Sequence, residues 1–169
     1  MIDLSLVFDG TFTTDPPTGV AITATATSTN IIDWLTGRDV GAGEPLGIHV
    51  LISGAFVTTN SATLQINYQV CDTTNGTYLT ILSSPVYPAA QLIKGAPLFR
   101  YALPVNQILN ATAGVLKTPG RYCQLQYVVG TGVFSSTSAI VAFLTPRQDR
   151  NEYYNYPIGY TAAVQSGQI

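Results

Sequence analysis

An all-β sandwich is the fold class that this sequence predicts, and three observations lead there. Runs of about six to ten residues with alternating apolar and polar positions recur along the chain, separated by turns rich in Gly, Pro, Asn and Asp. No segment of about 10–15 residues carries a helical apolar period between them, which excludes a parallel sheet built from βαβ units. Only 9% of the 169 residues are charged, and the polar positions are filled by Thr, Ser, Asn and Gln. Thr-rich segments poor in Lys and Glu favour sheet over helix.

Taken in order, Ile2 to Phe8 alternates, with Ile2, Leu4, Leu6 and Phe8 on one side, and reads as a first strand. Asp9-Gly10 is a turn, and Thr13 to Gly19, with Pro16-Pro17, is an expanded loop. Val20 to Thr27 alternates again, with Val20, Ile22, Ala24 and Ala26 inward. A charged, Gly-rich corner follows, and from Leu46 a strand buries Leu46, Ile48, Val50 and Ile52 on one face, with Gly47, His49 and Leu51 on the other. Ser53 to Ser61 turns the chain over Phe56. Ala62 to Cys71 is the cleanest strand, with Thr63, Gln65, Asn67 and Gln69 outward. Asp72 to Gly76 is a hairpin turn in which Asn75-Gly76 supplies positive φ, and Thr77 to Ser83 returns. Pro85 to Pro88 is extended, and Ala89 to Lys94 forms one helical turn stopped by Gly95. Pro97 to Leu103 is a strand, whereas Pro104 to Gly120 lacks strict alternation and reads as a long loop anchored by Ile108, Leu109, Val115 and Leu116. Arg121 to Val129 and Thr137 to Leu144 are the closing strands. Eight or nine such strands suit a jelly roll. Periodicity alone leaves an immunoglobulin-type sandwich equally open.

The length suits one domain, 1–145, followed by a C-terminal arm, 146–169. Net charge is −2, and seven Lys and Arg spread along the chain make no basic stripe, so nucleic acid is not an expected partner. The longest apolar run, Ala139 to Leu144, is far short of the ~20 residues of a membrane helix, and no membrane partner is expected. The start, Met1-Ile2-Asp3, lacks the features of a signal peptide, so the expectation is a soluble protein made in a cytoplasm. Without a secretory signal, Asn75-Gly76-Thr77 and Asn110-Ala111-Thr112 match the glycosylation pattern by chance.

The corner gathers Asp33, Arg38, Asp39, Gly41, Gly43, Glu44 and Pro45 in an otherwise uncharged chain. Gly41-Ala42-Gly43 lacks the Lys-Ser/Thr of a phosphate loop and the third glycine of a dinucleotide turn, and the following Glu44 would repel phosphate. The expected role is structural, with Arg38 paired to Asp33, Asp39 or Glu44. Catalytic carboxylate pairs are not expected, because the arginines near Asp33, Asp39 and Glu44, and near Asp149 and Glu152, hold these groups ionised. One His and two Cys make no metal cluster. Cys71 and Cys123 fall on opposite strand faces and read as free thiols. His49 as a base for a Cys nucleophile would lack an orienting third group. No enzyme activity and no cofactor are expected. Trp34 could be a sugar platform, although a lone Trp in a sandwich is more often a core or corner anchor.

The last segment differs in kind. Arg147, Asp149, Arg150 and Glu152 crowd together, followed by Tyr153, Tyr154, Tyr156 and Tyr160. Disordered tails are poor in aromatics, and clustered Tyr and Arg are what interfaces use. Arg147, Arg150, Tyr153, Tyr154, Tyr156 and Tyr160 are therefore expected to contact a partner or a neighbouring subunit.

The stretches Ala24 to Asp33 and Gly37 to Leu46, Ala62-Thr63-Leu64-Gln65, Ser84-Pro85 through Pro88-Ala89-Ala90-Gln91-Leu92 with Lys94-Gly95, Tyr122 to Tyr127 with Gly130 and Phe134, and Ala139 to Leu144 together resemble the jelly-roll capsid cement, or decoration, proteins of tailed bacteriophages. The resemblance runs from Ile2 to Asp149, and the corner is its most specific part. The connection Pro104–Gly120, the loop Thr13–Gly19 and the Tyr-rich tail are longer than the family pattern. The resemblance implies a structural virion protein on the outer surface of the capsid. Its partners would be the major capsid protein of the phage head and further copies of itself, as a dimer in preference to a trimer. It would bridge neighbouring capsomers and stabilise the mature head. The competing reading is a carbohydrate-binding or receptor-binding β-sandwich domain that stacks sugars on Trp34 and tyrosines.

Overall fold

The computed structural model describes residues 6–14, 16–34, 46–58, 60–103, 107–110 and 115–146. They form thirteen strands: β1 (Val7–Asp9), β2 (Val20–Ala21), β3 (Ala26–Thr27), β4 (Ile32–Asp33), β5 (Leu46–Ile52), β6 (Thr63–Cys71), β7 (Leu79–Ser83), β8 (Tyr87–Pro88), β9 (Pro97–Ala102), β10 (Gln107–Asn110), β11 (Val115–Pro119), β12 (Tyr122–Gly130) and β13 (Ala139–Pro146). One sheet runs β1-β13-β5-β9, with β2 also on β13; the other runs β3-β12-β6-β7, with β4 on β12 and β8 on β6. All recorded pairings are antiparallel.

Treating β3 and β4 as one interrupted strand and leaving out the short strands β2 and β8 and the pair β10–β11, eight strands remain. The first, eighth, third and sixth make one sheet, and the second, seventh, fourth and fifth make the other. That order is a jelly roll, two antiparallel sheets whose connections cross repeatedly between layers, and it separates the fold from an immunoglobulin-type arrangement.

The core lies between the sheets. Ile48, Val50 and Ile52 of β5, with Ile140, Ala142 and Leu144 of β13, face Leu64, Ile66, Tyr68 and Val70 of β6 and Cys123, Leu125 and Tyr127 of β12. Full burial of each branched aliphatic side chain contributes about 1.5–3 kcal/mol. Period-2 alternation places these residues on one face because successive strand side chains point to opposite sides.

Several expectations need correction. β5 is buried on both faces, since Gly47 and His49 are buried along with Ile48 and Val50. The reason is a second apolar cluster on the outside of the first sheet, formed by Val7, Val141 and Phe143 with Phe12 and Leu51. Phe12 arrives there on a small hairpin closed by reciprocal backbone hydrogen bonds between Thr11 and Thr18, at 2.8 and 3.0 Å.

The segment Val20 to Thr27 is not one strand. β2 pairs with β13 in the first sheet and β3 with β12 in the second, so the chain changes layers between them. Alternation does not survive that crossing: Ile22 is buried, whereas Ala24 and Ala26 are exposed. Thr25 anchors the crossing by accepting the Val129 N–H and donating to the Val129 carbonyl.

The stretch read as a loop, Pro104 to Gly120, contains the antiparallel pair β10–β11 in the register Ile108↔Lys117, Leu109↔Leu116 and Asn110↔Val115. Among the described residues these strands pair only with each other. A ribbon outside the two sheets need not present one face to their core, which is why it lacks strict alternation.

At the hairpin after β6, positive φ is absent from Asn75 and Gly76. Glycine provides space there instead, since a Cβ on Gly76 would stand 2.5 Å from both Cys71 Sγ and Thr73 Oγ1, and one or both side chains would have to move. The helical turn is a 3-10 turn over Ala89–Gln91 that ends before Lys94, and Gly95 beyond it has φ +85°.

Candidate functional site

Of the corner residues, Asp33 is described; Arg38, Asp39, Gly41, Gly43, Glu44 and Pro45 lie outside the described residues. Asp33 ends β4 and is held by Arg121, just before β12. Arg121 Nε donates to Asp33 Oδ1 at 2.9 Å and Nη2 to Asp33 Oδ2 at 2.8 Å. The two-point fork matches guanidinium to carboxylate geometry. The same guanidinium lies 4.8 Å from the ring centroid of Tyr122, a cation–π arrangement. Its own pKa is raised, first by the hydrogen bond to Asp33, which outweighs an opposing desolvation, with a smaller lift from that carboxylate's charge. Sequence reasoning sought the partner of Asp33 nearby and missed an arginine 88 positions away; the pairing of β4 with β12 brings it there.

Trp34 follows Asp33, its N–H bonded to the Arg121 carbonyl at 2.9 Å. It is half-buried and packs against the interior cluster, which is the arrangement of a corner anchor.

The described groups reveal no His–Cys dyad. His49 faces out of the first sheet, stacked on Phe143 with centroids 5.5 Å apart and planes at 10°. Cys123 sits in the interior and Cys71 on the outside of the second sheet, and both are free thiols. Burial, and then the charge of Arg100, push His49 down to about 4. Among the described residues no three His, Cys, Asp or Glu side chains group as metal ligands would.

The outer face of the second sheet carries the densest polar arrangement. The register of β12 on β6 pairs Tyr122 with Cys71, Gln124 with Gln69 and Gln126 with Asn67, while β7 sets Thr80 beside Gln69 and Ser83 beside Asn67. These rows face away from the interior. Gln124 Nε2 donates to Gln69 Oε1 at 3.0 Å, and Gln69 Nε2 donates at 3.1 Å to Thr80 Oγ1 and to Gln126 Oε1. Asn67 Nδ2 donates to the same Gln126 oxygen at 3.1 Å. Gln69 and Gln124 are each only 7% exposed although they lie on an outer face. Asn67 Oδ1 is buried and accepts no hydrogen bond. Beside Cys71, the Tyr78 phenol is pushed up to about 12, chiefly by burial, with smaller effects from Cys71, Cys123 and Tyr122. The outward amides of β6 were legible as a polar face, but their connection to Gln124 and Gln126 depends on a register that sequence does not show.

The proposed contact residues Arg147, Arg150, Tyr153, Tyr154, Tyr156 and Tyr160 lie outside the described residues.

A family model described as Bbp16 matches residues 17–142, from the end of the Phe12 hairpin into β13. No curated protein matches the chain. The matched span takes in the second sheet, the first sheet apart from β1 and the end of β13, Asp33 and the outer amide face, and the chain belongs to the Bbp16 family.

Proposed function

We propose that this protein is a structural virion protein that binds the outside of the major capsid shell of a tailed phage, bridges neighbouring capsomers and stabilises the mature head. The observation that carries the reading is the jelly-roll strand order, first-eighth-third-sixth against second-seventh-fourth-fifth. It is the architecture expected from the resemblance to phage cement proteins. A surface poor in charge supports lasting contact, since little charge must be desolvated on docking. The β10–β11 ribbon, paired only with itself among the described residues, and the edge strand β9 offer backbone groups to a partner strand,.

In this reading the partners are the major capsid protein and further copies of the chain, as a dimer in preference to a trimer. The residues from Arg147 to Tyr160 act as the contact arm. The protein works as a structural element without enzymatic activity or cofactor, and without nucleic-acid or membrane contacts. Stabilisation follows from mass action, because a protein that binds the mature shell and not its precursor favours the mature state.

Co-sedimentation of the purified full chain with mature, cement-free capsids, with procapsids as control, tests the reading. Saturable binding to the mature shell alone is expected, and DNA release from decorated heads should need a higher temperature. Absence of binding to both particles would overturn the proposal. Equal thermal release with and without the protein would overturn the stabilising role.

A further inference from the structure

We propose that the outer face of the second sheet, from Tyr78 and Tyr122 to Asn67 and Gln126, binds an uncharged carbohydrate chain. This inference goes beyond the capsid reading and does not rest on it.

The first distinguishing property of this face is charge. The outward positions Thr63, Gln65, Asn67, Gln69 and Cys71 of β6, Tyr122, Gln124, Gln126 and Val128 of β12, and Thr80 and Ser83 of β7 include no charged side chain. A sheet face that only meets water is ordinarily dressed with Lys, Glu, Arg and Asp. A face made mostly of amides and hydroxyls, with Val128 near one end and Cys71 buried beside Tyr122 at the other, fits a ligand that is polar and uncharged.

The second is the geometry of the amides. Each primary amide presents one acceptor and two donors in a plane, which matches the adjacent hydroxyls of a sugar, each able both to donate and to accept. The chain Gln124 to Gln69 to Gln126, with Asn67 joining at the same oxygen, fixes these planes in advance. Binding then costs less side-chain entropy than it would with free glutamines. Gln69 and Gln124 are buried within the network and brace it, and Asn67 Oδ1 is buried too, so the half-exposed amide groups of Asn67 and Gln126 are the ones a ligand meets.

The third is the aromatic end. Tyr122 and Tyr78 are both partly exposed, and Tyr122 carries the Arg121 guanidinium against its ring. The negatively polarised face of an aromatic ring attracts the C–H face of a pyranose. Tyr122 stands in the row of the outward amides, which places the aromatic end on the same sheet face as the network.

The test applies the full chain to an array of neutral and anionic oligosaccharides and titrates the best neutral one into 15N-labelled protein. Saturable binding is expected, with shifts in the side-chain amides of Gln69, Gln124, Gln126 and Asn67. Affinity should fall at least about tenfold in Tyr122→Ala and in Gln126→Ala. Tyr101→Ala, on β9 of the other sheet, should bind as the parent does. Gln126 lies outside the core, so its variant keeps the test valid should Tyr122→Ala fail to fold. Failure of every neutral glycan to bind, binding confined to anionic glycans, or binding retained in folded Gln126→Ala would each overturn the proposal.

Discussion

The phenol of Tyr127 donates a 2.5 Å hydrogen bond to Asp9 Oδ2, joining β12 of one sheet to β1 of the other. Asp9 is 1% exposed, and its other oxygen accepts the Thr29 N–H at 2.8 Å. Next to it, the Asn30 N–H bonds to the Phe8 carbonyl and its side-chain amide to the Val7 carbonyl. A carboxylate is expensive to bury without such partners, so this junction ties the first strand to the segment between β3 and β4 of the other sheet by its polar groups as well as its apolar ones.

Tyr127→Phe removes one of the two donors recorded on Asp9 without opening a cavity. The expected loss is about 1–3 kcal/mol, the cost of leaving a buried acceptor short of a partner. Burial first, and then the Asp9 charge and hydrogen bond, hold the Tyr127 phenol well above its ordinary 10.0. Its stabilising contribution is intact below pH 10 and is lost as pH rises above it toward the folded value. Urea denaturation across alkaline pH should therefore show a shallower decline in Tyr127→Phe than in the parent. Tyr78, pushed up to about 12, keeps some of the slope in both.

His49 gives the opposite limb. The row Val7↔Phe143↔His49↔Arg100 crosses β1, β13, β5 and β9 of the first sheet. The imidazole is stacked on Phe143 of β13 and faces the cationic Arg100 of β9. Its pKa falls from 6.5 to about 4 on folding, so between those values the unfolded chain binds more protons and stability declines as pH falls,. Above pH 6.5 the contribution is whole, and below about 4 it is gone. In His49→Phe, which keeps an aromatic ring on Phe143, the slope of stability against pH in this window should drop by about one proton. An unchanged slope would show that His49 does not titrate there.

Sequence legibility followed the local rules that produce structure. β6 and β12 were readable because apolar and polar side chains alternate along them, although burial does not follow the alternation at the outward Gln69, Cys71 and Gln124, which are buried too. β5 was half readable: nothing around His49 foretold that a hairpin carrying Phe12, some forty residues earlier, would cover its second face. Val20 to Thr27 misled because apolar alternation continued through residues that change sheets. The free thiols were correctly read from face parity. The partner of Asp33 and the amide network arise from pairings across the second sheet, which no local pattern encodes.

Arg121 links three of these features, holding Asp33 by its fork, Tyr122 by its ring and Trp34 by its carbonyl. Its side chain is 43% exposed, so the ion pair contributes little to global stability. Its effect should be local. Arg121→Ala should leave the melting temperature nearly unchanged while hydrogen exchange at the Trp34 amide speeds up, because β4 is only two residues long and relies on this clamp. Arg121→Lys should restore protection poorly, as an ammonium cannot make both parallel bonds to Asp33. Equal protection in all three proteins would refute the clamp.

The hairpin after β6 offers a test of space against conformation. A methyl at position 76 would press on Cys71 Sγ and Thr73 Oγ1, while its φ lies outside the left-handed region. Gly76→Ala should therefore destabilise through collision, with a cost on the order of 1–3 kcal/mol. Cys71→Ala alone should cost less, since this thiol lies on the outer face of its sheet. Combining the two should give a smaller loss than the sum of the single changes, because the smaller side chain at position 71 makes room for the new methyl. Were glycine needed for its backbone freedom instead, Cys71→Ala would bring no relief and the two losses would simply add. Double-mutant urea denaturation separates these outcomes.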